Sequence, residues 1–358
     1  METHQVLVSA LPGEIVTNCA LDLQGHLRAL GPSEIFAQHV DPYLADRVRR
    51  IEDYVSHSRP GGADLLVYHA SIGEPMLTAF LCQRSEPVAL ILHHASPTRD
   101  GAPDETASSP FLGLSREPLD QLVGRVALAV AGSELEAGGL RAAGFRRVVV
   151  SPPVVDVDAL RAIPSDPAMA AYLACFDGPV VLFVGELHPD ERPDWLLAAY
   201  YILVTYLEPL VHFVLVGVGG RTPYRRALDT FVAEVNLSRA HMVGSVGKEA
   251  LAACYRTAEV FVTASEHRGC SIPVLEAMAF DVPVLARGVA GESDSLGRAG
   301  LLLRPDHGPS VAAEAMALLI GEQTARATVA NEGRRVLQSL NPSMVRANLV
   351  AQLRSAVD

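Results

Sequence analysis

FVTASEHRGCSIPVLEAMAFDVPVLAR, residues 261–287, reads as strand, loop, helix and strand in succession. Phe261 to Thr263 end a short apolar run, and Ala264 to Ser271 are small, polar and rich in turn formers. Ser271 suits a helix N-cap, and Pro273 suits the first helical turn, where a missing N–H costs nothing. Leu275, Met278 and Ala279 give the helix a buried stripe. Asp281 ends it, and Val282 to Ala286 is the next buried parallel strand. A loop that opens into a helix in this way turns free backbone N–H groups, and the positive end of the helix dipole, toward whatever lies above it. Such a loop suits a phosphate.

Outward from this stretch the chain keeps alternating. In the second half Val180–Val184 is a strand ending at Gly185, followed by a helix over Asp194–Tyr206. Phe213–Val216, Met242–Gly244 and Val260–Thr263 are further strands, with a helix over Lys248–Ala258 and helices closing the chain, the last over Ser343–Val357. In the first half Gln5–Ala10, Ile35–Ala37, Leu65–Tyr68, Val88–His93, Val126–Ala131 and Arg147–Val150 read as strands. Helices are predicted over Val16–Leu30 and Leu44–Val55, and another starts at Ser133. This alternation means doubly wound parallel sheets, with ligands beyond the carboxyl ends of the strands. Residues 98–117 form a polar loop of the length that often serves as a lid or binding element, and plain flexibility is an equal reading. Residues 151–177 carry four prolines and read as an interdomain linker. The expected division is a Rossmann-like domain over 1–165, a second over 166–340, and a last helix, 341–358.

Composition narrows the function. At 49% apolar and 20% charged residues over 358, the chain is globular with ample core, and its length favours two domains. A formal charge of −12 argues against nucleic acid and against adhesion to an anionic membrane. No apolar run approaches the ~20 residues of a membrane span. The opening METHQVLVSALPGE has neither the basic region nor the cleavage pattern of a signal peptide. Five scattered cysteines read as reduced thiols, so the expectation is a cytoplasmic protein.

The opening stretch resembles the donor-site signature of family-4 retaining glycosyltransferases, whose pattern runs roughly S-E-H-E-G-F-x-x-P-x-x-E-A-M-A-x-x-x-P-V. This chain supplies Ser265, Glu266, His267, Gly269, Pro273, Glu276, Ala277, Met278, Ala279, Pro283 and Val284. Arg268 stands where the family has a glutamate. LFVGELHPDERPDWLLAAY, residues 182–200, is similar to the family's L-F-V-G-R-L-x-P-x-K, with Glu186 at the arginine position and Glu191 at the lysine position. The resemblance implies a GT-B fold, two Rossmann-like domains facing a central cleft with the last helix crossing back to the first. It implies transfer of a sugar from a nucleotide-sugar donor, a UDP- or GDP-sugar, to an acceptor, with retention and with no required cofactor.

Candidate residues follow from these matches. On the donor side are Gly185, Glu186, Glu191, Arg192, Gly217, Ser271 and Glu276, with Glu276 holding the donor ribose and Gly185 shaping the phosphate loop. Gly217 opens a glycine turn after a strand, for which close backbone approach is the plainer reading. His94 and Arg268 are the catalytic candidates, His94 as the histidine that faces the donor sugar. Glu14, Asn18, His69 and Ser71 fall on the acceptor side, with a helix cap the cheaper account of Glu14 and satisfied backbone groups the cheaper account of the histidines. The histidines lack metal-ligand spacing, so no metal site is expected. The sign reversals at Glu186, Glu191 and Arg268 raise a second reading, a catalytically silent homologue that binds a partner enzyme or a ligand. A third has Glu186 and Glu191 holding magnesium against the diphosphate. One unit charge at 4 Å is worth about 4 kcal/mol at an effective dielectric near 20, so replacing attraction by repulsion beside a diphosphate costs several kcal/mol per position before relaxation and screening.

Overall fold

The computed structural model describes the chain through Val357 apart from residues 13, 58–61, 71–73, 94–116, 218–221, 266–271 and 289–298. Two units emerge, one of Met1–Pro152 with Ser343–Asp358, the other of Pro153–Pro342. The divisions thus fall at 152 and 342, against the expected 165 and 340.

In the first unit the elements run β1 (Thr3–Ala10), α1 (Ile15–Arg28), β2 (Ile35–Val40), β3 (Val48–Arg50), α2 (Tyr54–His57), β4 (Leu65–Ala70), α3 (Pro75–Cys82), β5 (Val88–Leu92), α4 (Glu117–Asp120), β6 (Val126–Ala131), α5 (Glu134–Ala142) and β7 (Val148–Val150). The strands form one parallel sheet in the order β3-β2-β1-β4-β5-β6-β7. β1 lies near its middle and is buried along its whole length. Both faces of such a strand are covered, so its sequence loses polar alternation. Val6 and Val8 join the layer containing Leu66, Tyr68, Leu77 and Leu81, while Leu7 joins the opposite layer with Ala20 and Ile35. The cap predicted at Ser133 forms, its hydroxyl accepting from the Glu136 N–H at 3.2 Å.

The helix expected over 44–55 does not form. Asp41 caps a tight turn over Pro42–Leu44, β3 then pairs with β2 at the sheet edge, and a second tight turn over Ile51–Asp53 leads into the short α2. Val48, Ile51 and Tyr54 are all buried. Their spacing of three imitates a helical stripe, while the same spacing serves an edge strand and a 3-10 turn, whose side chains eclipse every third residue.

The second unit runs α6 (Val157–Ala162), α7 (Pro167–Ala174), β8 (Val180–Val184), α8 (Pro193–Ile202), β9 (His212–Val216), α9 (Pro223–Glu234), β10 (Ala240–Gly244), α10 (Lys248–Thr257), β11 (Val260–Thr263), α11 (Ile272–Ala279), β12 (Val284–Arg287), β13 (Gly300–Leu303), α12 (Pro309–Gly321) and α13 (Gln323–Ser339). Its parallel sheet has the order β10-β9-β8-β11-β12-β13. One face carries α8 and α12 through Trp195, Leu196, Tyr200, Met316 and Leu319; the other carries α10, α11 and α13 through Tyr255, Leu275, Met278 and Leu337. Segment 151–177 is not a plain linker. Asp156 and Asp166 cap α6 and α7, and Leu160, Met169 and Leu173 pack into the second layer. Only the Pro152–Pro153 pair marks the break.

The last helix, α14 (Pro342–Arg354), belongs to the first unit. Leu353 is buried against Leu23 and Leu27 of α1 and Leu65 and Val67 of β4. Arg346 donates to Asp22 at 2.8 Å, and Arg147 donates to the Ser355 carbonyl at 2.6 Å.

Candidate functional site

Each sheet reverses its winding once, between β1 and β4 in the first unit and between β8 and β11 in the second. At such a point the connections leave toward opposite faces, and a crevice opens beyond the carboxyl ends of the two strands. Polar side chains meet at both.

In the second unit, the Gly185 N–H after β8 donates to the Val216 carbonyl at 3.0 Å, and the Gly217 N–H after β9 donates to the Gly244 carbonyl at 2.9 Å. A side-chain carbon on Gly217, whose φ is +152°, would stand 1.7 Å from the Gly185 carbonyl oxygen. Glycine there is a packing requirement. Glu186 follows Gly185 and is exposed. Glu191 closes a tight turn over Pro189–Glu191, and its Oε2 lies 3.5 Å from where a Gly185 side chain would begin. It accepts a hydrogen bond from the Ser265 hydroxyl. Ser265 lies just past β11, so this bond spans the ends of the two strands that flank the reversal. Burial pushes the Glu191 carboxyl up to about 7, opposed by Ser265 and helped by the charges of Glu186 and Asp190.

Arg192 adopts a left-handed conformation with φ 51° and turns its guanidinium to Asp194, at 3.2 and 3.3 Å. The Tyr224 hydroxyl donates to the same carboxylate at 2.8 Å. Burial works against ionisation of Asp194, but the bonds from Arg192 and Tyr224 prevail and hold its carboxyl below the ordinary range. Glu276 sits in the second turn of α11 and accepts from the Tyr255 hydroxyl at 2.9 Å; that hydroxyl also reaches the Pro273 carbonyl at 3.2 Å. Burial raises the Glu276 carboxyl and Tyr255 opposes the rise. Burial likewise lifts the Tyr255 phenol well above its usual value, so it stays a donor.

In the first unit, His69 near the end of β4 is buried between two partners. Its Nε2 faces the Gln5 Oε1 at 2.8 Å, and its Nδ1 faces His93 Nε2 at 2.8 Å, with the rings stacked 5.1 Å apart. Gln5 spends its amide N–H on the Ala20 carbonyl at 3.0 Å, so its oxygen faces His69 and requires the proton on His69 Nε2. His69 Nδ1 then accepts from His93. Burial, with His93 beside it, keeps the His69 imidazole neutral, its pKa well below the usual value. Glu14 holds the N-cap position of α1 without capping it through its side chain. Its carboxylate accepts from Thr17 at 3.0 Å and from Ser9 at 3.4 Å. Asn18 is exposed on the same turn.

The structure therefore brings Gly185, Glu191 and Gly217 together, seats Glu276 on the helix after β11, and turns Arg192 toward Asp194. His69 pairs with His93 and Gln5. Ser71, His94, Arg268 and Ser271 lie outside the described residues. Gln5, Tyr255 and the bridging role of Ser265 escaped the sequence reading. Gln5 left a trace: a glutamine inside the apolar run HQVLVSA is buried and must find partners. Among the described residues no three His, Cys, Asp or Glu side chains gather as a metal site, and no helix is long and apolar enough to cross a membrane.

Residues 178–322 match the family model described as glycosyl transferases group 1. The chain is 28% identical to a D-inositol 3-phosphate glycosyltransferase of Kineococcus radiotolerans over 63% of this chain and 58% of that protein. It is 25% identical to the enzyme of the same name from Kribbella flavida over 98% of this chain and 83% of the relative. The chain thus spans under two thirds of the first relative and more of the second. Among solved structures, Anabaena Alr3699/HepE in complex with UDP-glucose superposes with a TM-score of 0.76 at 18% identity, covering 99% of this chain and all of that one (100%).

Proposed function

Because the chain has the GT-B fold and carries a glycosyl transferases group 1 segment, we propose that it transfers a sugar from a nucleotide-sugar donor to an acceptor, with retention of configuration. The observation that carries this reading is the set of polar groups at the β8–β11 reversal, which lies within the matched segment. In this reading the glycine turns at 185 and 217 let the main chain approach the diphosphate, and Glu276, fixed by Tyr255, grips the ribose hydroxyls. Ser271 and the start of α11 meet the phosphates, Arg268 lies at the reacting centre, and His94 faces the sugar. The first unit offers Glu14, Asn18, His69 and Ser71 to the acceptor. The complex of the similar Anabaena protein with UDP-glucose supports a donor of this class. If magnesium takes part, Glu186 and Glu191 are the carboxylates at hand, and the substrate phosphates would complete its coordination.

The test is incubation with UDP-glucose and with GDP-mannose, with and without magnesium, following nucleotide release and the anomer formed by NMR. Release with an α product from an α donor is the expected outcome. Tight nucleotide binding without turnover would make the chain a silent homologue. Absence of both binding and turnover would sink the reading.

A further inference from the structure

Phe280 follows Glu276 by one turn, and its N–H still donates to the Glu276 carbonyl at 3.1 Å, so the two side chains lie on the same face of α11. Tyr255 of α10 meets both. Its ring stacks on that of Phe280, the centroids 5.4 Å apart and the planes 7° from parallel. Its hydroxyl reaches Glu276 Oε2 at 2.9 Å and the Pro273 carbonyl at 3.2 Å. The phenol therefore lies along the helix, with its ring at residue 280 and its oxygen at residues 273 and 276. We infer that Phe280 is a positioning residue of the proposed donor site: by stacking on Tyr255 it keeps the phenol laid along α11, and through that hydroxyl it sets the Glu276 carboxylate for the donor ribose. The inference rests on the reading above that Glu276 grips the ribose hydroxyls.

Each link of this chain is itself held. Tyr255 is buried and turns about only two side-chain torsions, so fixing its ring fixes its oxygen. Arg256, its neighbour in sequence, sets a guanidinium 5.3 Å from the centre of the Phe280 ring. That guanidinium also donates to the carbonyls of Arg161 and Ile163 at 2.9 and 2.5 Å and to the Ser165 hydroxyl at 2.8 Å, which ties the ring to the end of α6. Beyond Phe280 the helix closes tightly. Asp281 takes a left-handed conformation with φ 62° and donates its N–H to the Met278 carbonyl at 3.0 Å, and the Val282 N–H donates to the Ala277 carbonyl at 2.9 Å. The Asp281 carboxylate accepts from Arg161 at 2.8 Å and from Arg334 at 2.5 Å. At the far end of the chain, the Tyr255 hydroxyl favours the ionised form of Glu276, the form that accepts from two hydroxyls. A carboxylate already set in its binding geometry loses less freedom when the ribose arrives. Leucine at 280 would fill much of the same volume but offers no flat face for the phenol to stack on.

The experiment is calorimetric titration of the full chain with UDP-glucose and GDP-mannose, native and carrying Phe280→Leu, Tyr255→Phe or both. The worth of an aromatic pair corresponds to about a 2- to 10-fold change in affinity, and Phe280→Leu is expected to weaken donor binding by that factor. In the Tyr255→Phe background the same substitution is expected to change nothing, because no hydroxyl is left to misplace. A general loosening of α11 would not produce that non-additivity. Phe280→Tyr returns the ring and is expected to recover the affinity lost in the leucine variant. Phe280→Met, longer and without a ring, serves the same cycle where the leucine variant fails to fold. Native affinity in Phe280→Leu, or an equal loss in both backgrounds, overturns the positioning role and leaves the transferase reading standing. No binding of either donor by the native chain overturns the transferase reading, and the positioning role with it.

Discussion

A methyl group at position 217 would stand inside the carbonyl oxygen of Gly185, and the backbone there has a φ of +152°. Gly217→Ala is expected to cost more than about 3 kcal/mol, measured by urea denaturation, because neither strand end can move without breaking sheet hydrogen bonds. Gly185→Ala meets the ring of the buried Phe183 at 2.8 Å and should cost less, about 1–3 kcal/mol, since a ring can shift where a carbonyl cannot. Tyr255→Phe leaves the ring packed and removes one hydrogen bond to Glu276. We expect a loss of about 1 kcal/mol in stability, a Glu276 carboxyl that titrates at still higher pH, and weaker nucleotide affinity. Glu276→Ala should weaken nucleotide binding with little change in melting temperature. A large drop in melting temperature with affinity unchanged would make that glutamate structural.

Elements show what the sequence could and could not carry. The helix after β11 was legible because Leu275, Met278 and Ala279 lie on one face, and all three are buried. The strands were legible as apolar runs between turns, since a parallel strand is covered on both sides. Residues 44–55 were not, because buried side chains at 48, 51 and 54 fit two kinds of element equally well. The link between Glu191 and Ser265 was illegible for a different reason. It depends on β8 and β11 being neighbours, and strand order is a tertiary property that no local pattern records. His69 was singled out as a strand-end residue, but its contact with His93 needed the pairing of β4 with β5. The same scale yields a test of α14. Leu353→Ala opens a cavity beneath α1 and β4 and should cost about 2–5 kcal/mol. Hydrogen exchange should show protection lost in α1, β4 and β5 and kept in α13, its neighbour in sequence. Loss centred on α13 would contradict this. Arg346→Ala, which breaks only the exposed pair with Asp22, should cost less than about 1 kcal/mol.

Across the whole molecule, two sets of buried groups pull stability in opposite directions with pH. His4, His69 and His241 are held below their ordinary value chiefly by burial. Each folded pKa is depressed, so the stability it carries is full above pH ~6.5 and is lost as the pH falls from there toward the folded value. Glu191 is raised to about 7, so its contribution is full in acid and is lost as the pH rises through that value. Removing Glu191 should therefore steepen the acid-side loss. Urea denaturation of native and Glu191→Gln proteins at pH 5.5, 7 and 8.5 should show the variant gaining most at pH 8.5, and an equal gain at all three would refute the assignment. The placement of α14 has a consequence of its own during synthesis. The first unit begins with residue 1 yet closes its core on Leu353, while the second occupies an unbroken stretch between. On a ribosome adding ~5–20 residues per second, the intervening stretch of roughly 190 residues imposes a wait of about 10–40 s. The second unit, although its synthesis starts later, is thus the first of the two able to finish folding. Until then the nascent first unit holds the apolar edge of α1 and β4 uncovered, and a chaperone engaged on translating ribosomes would find its binding surface there.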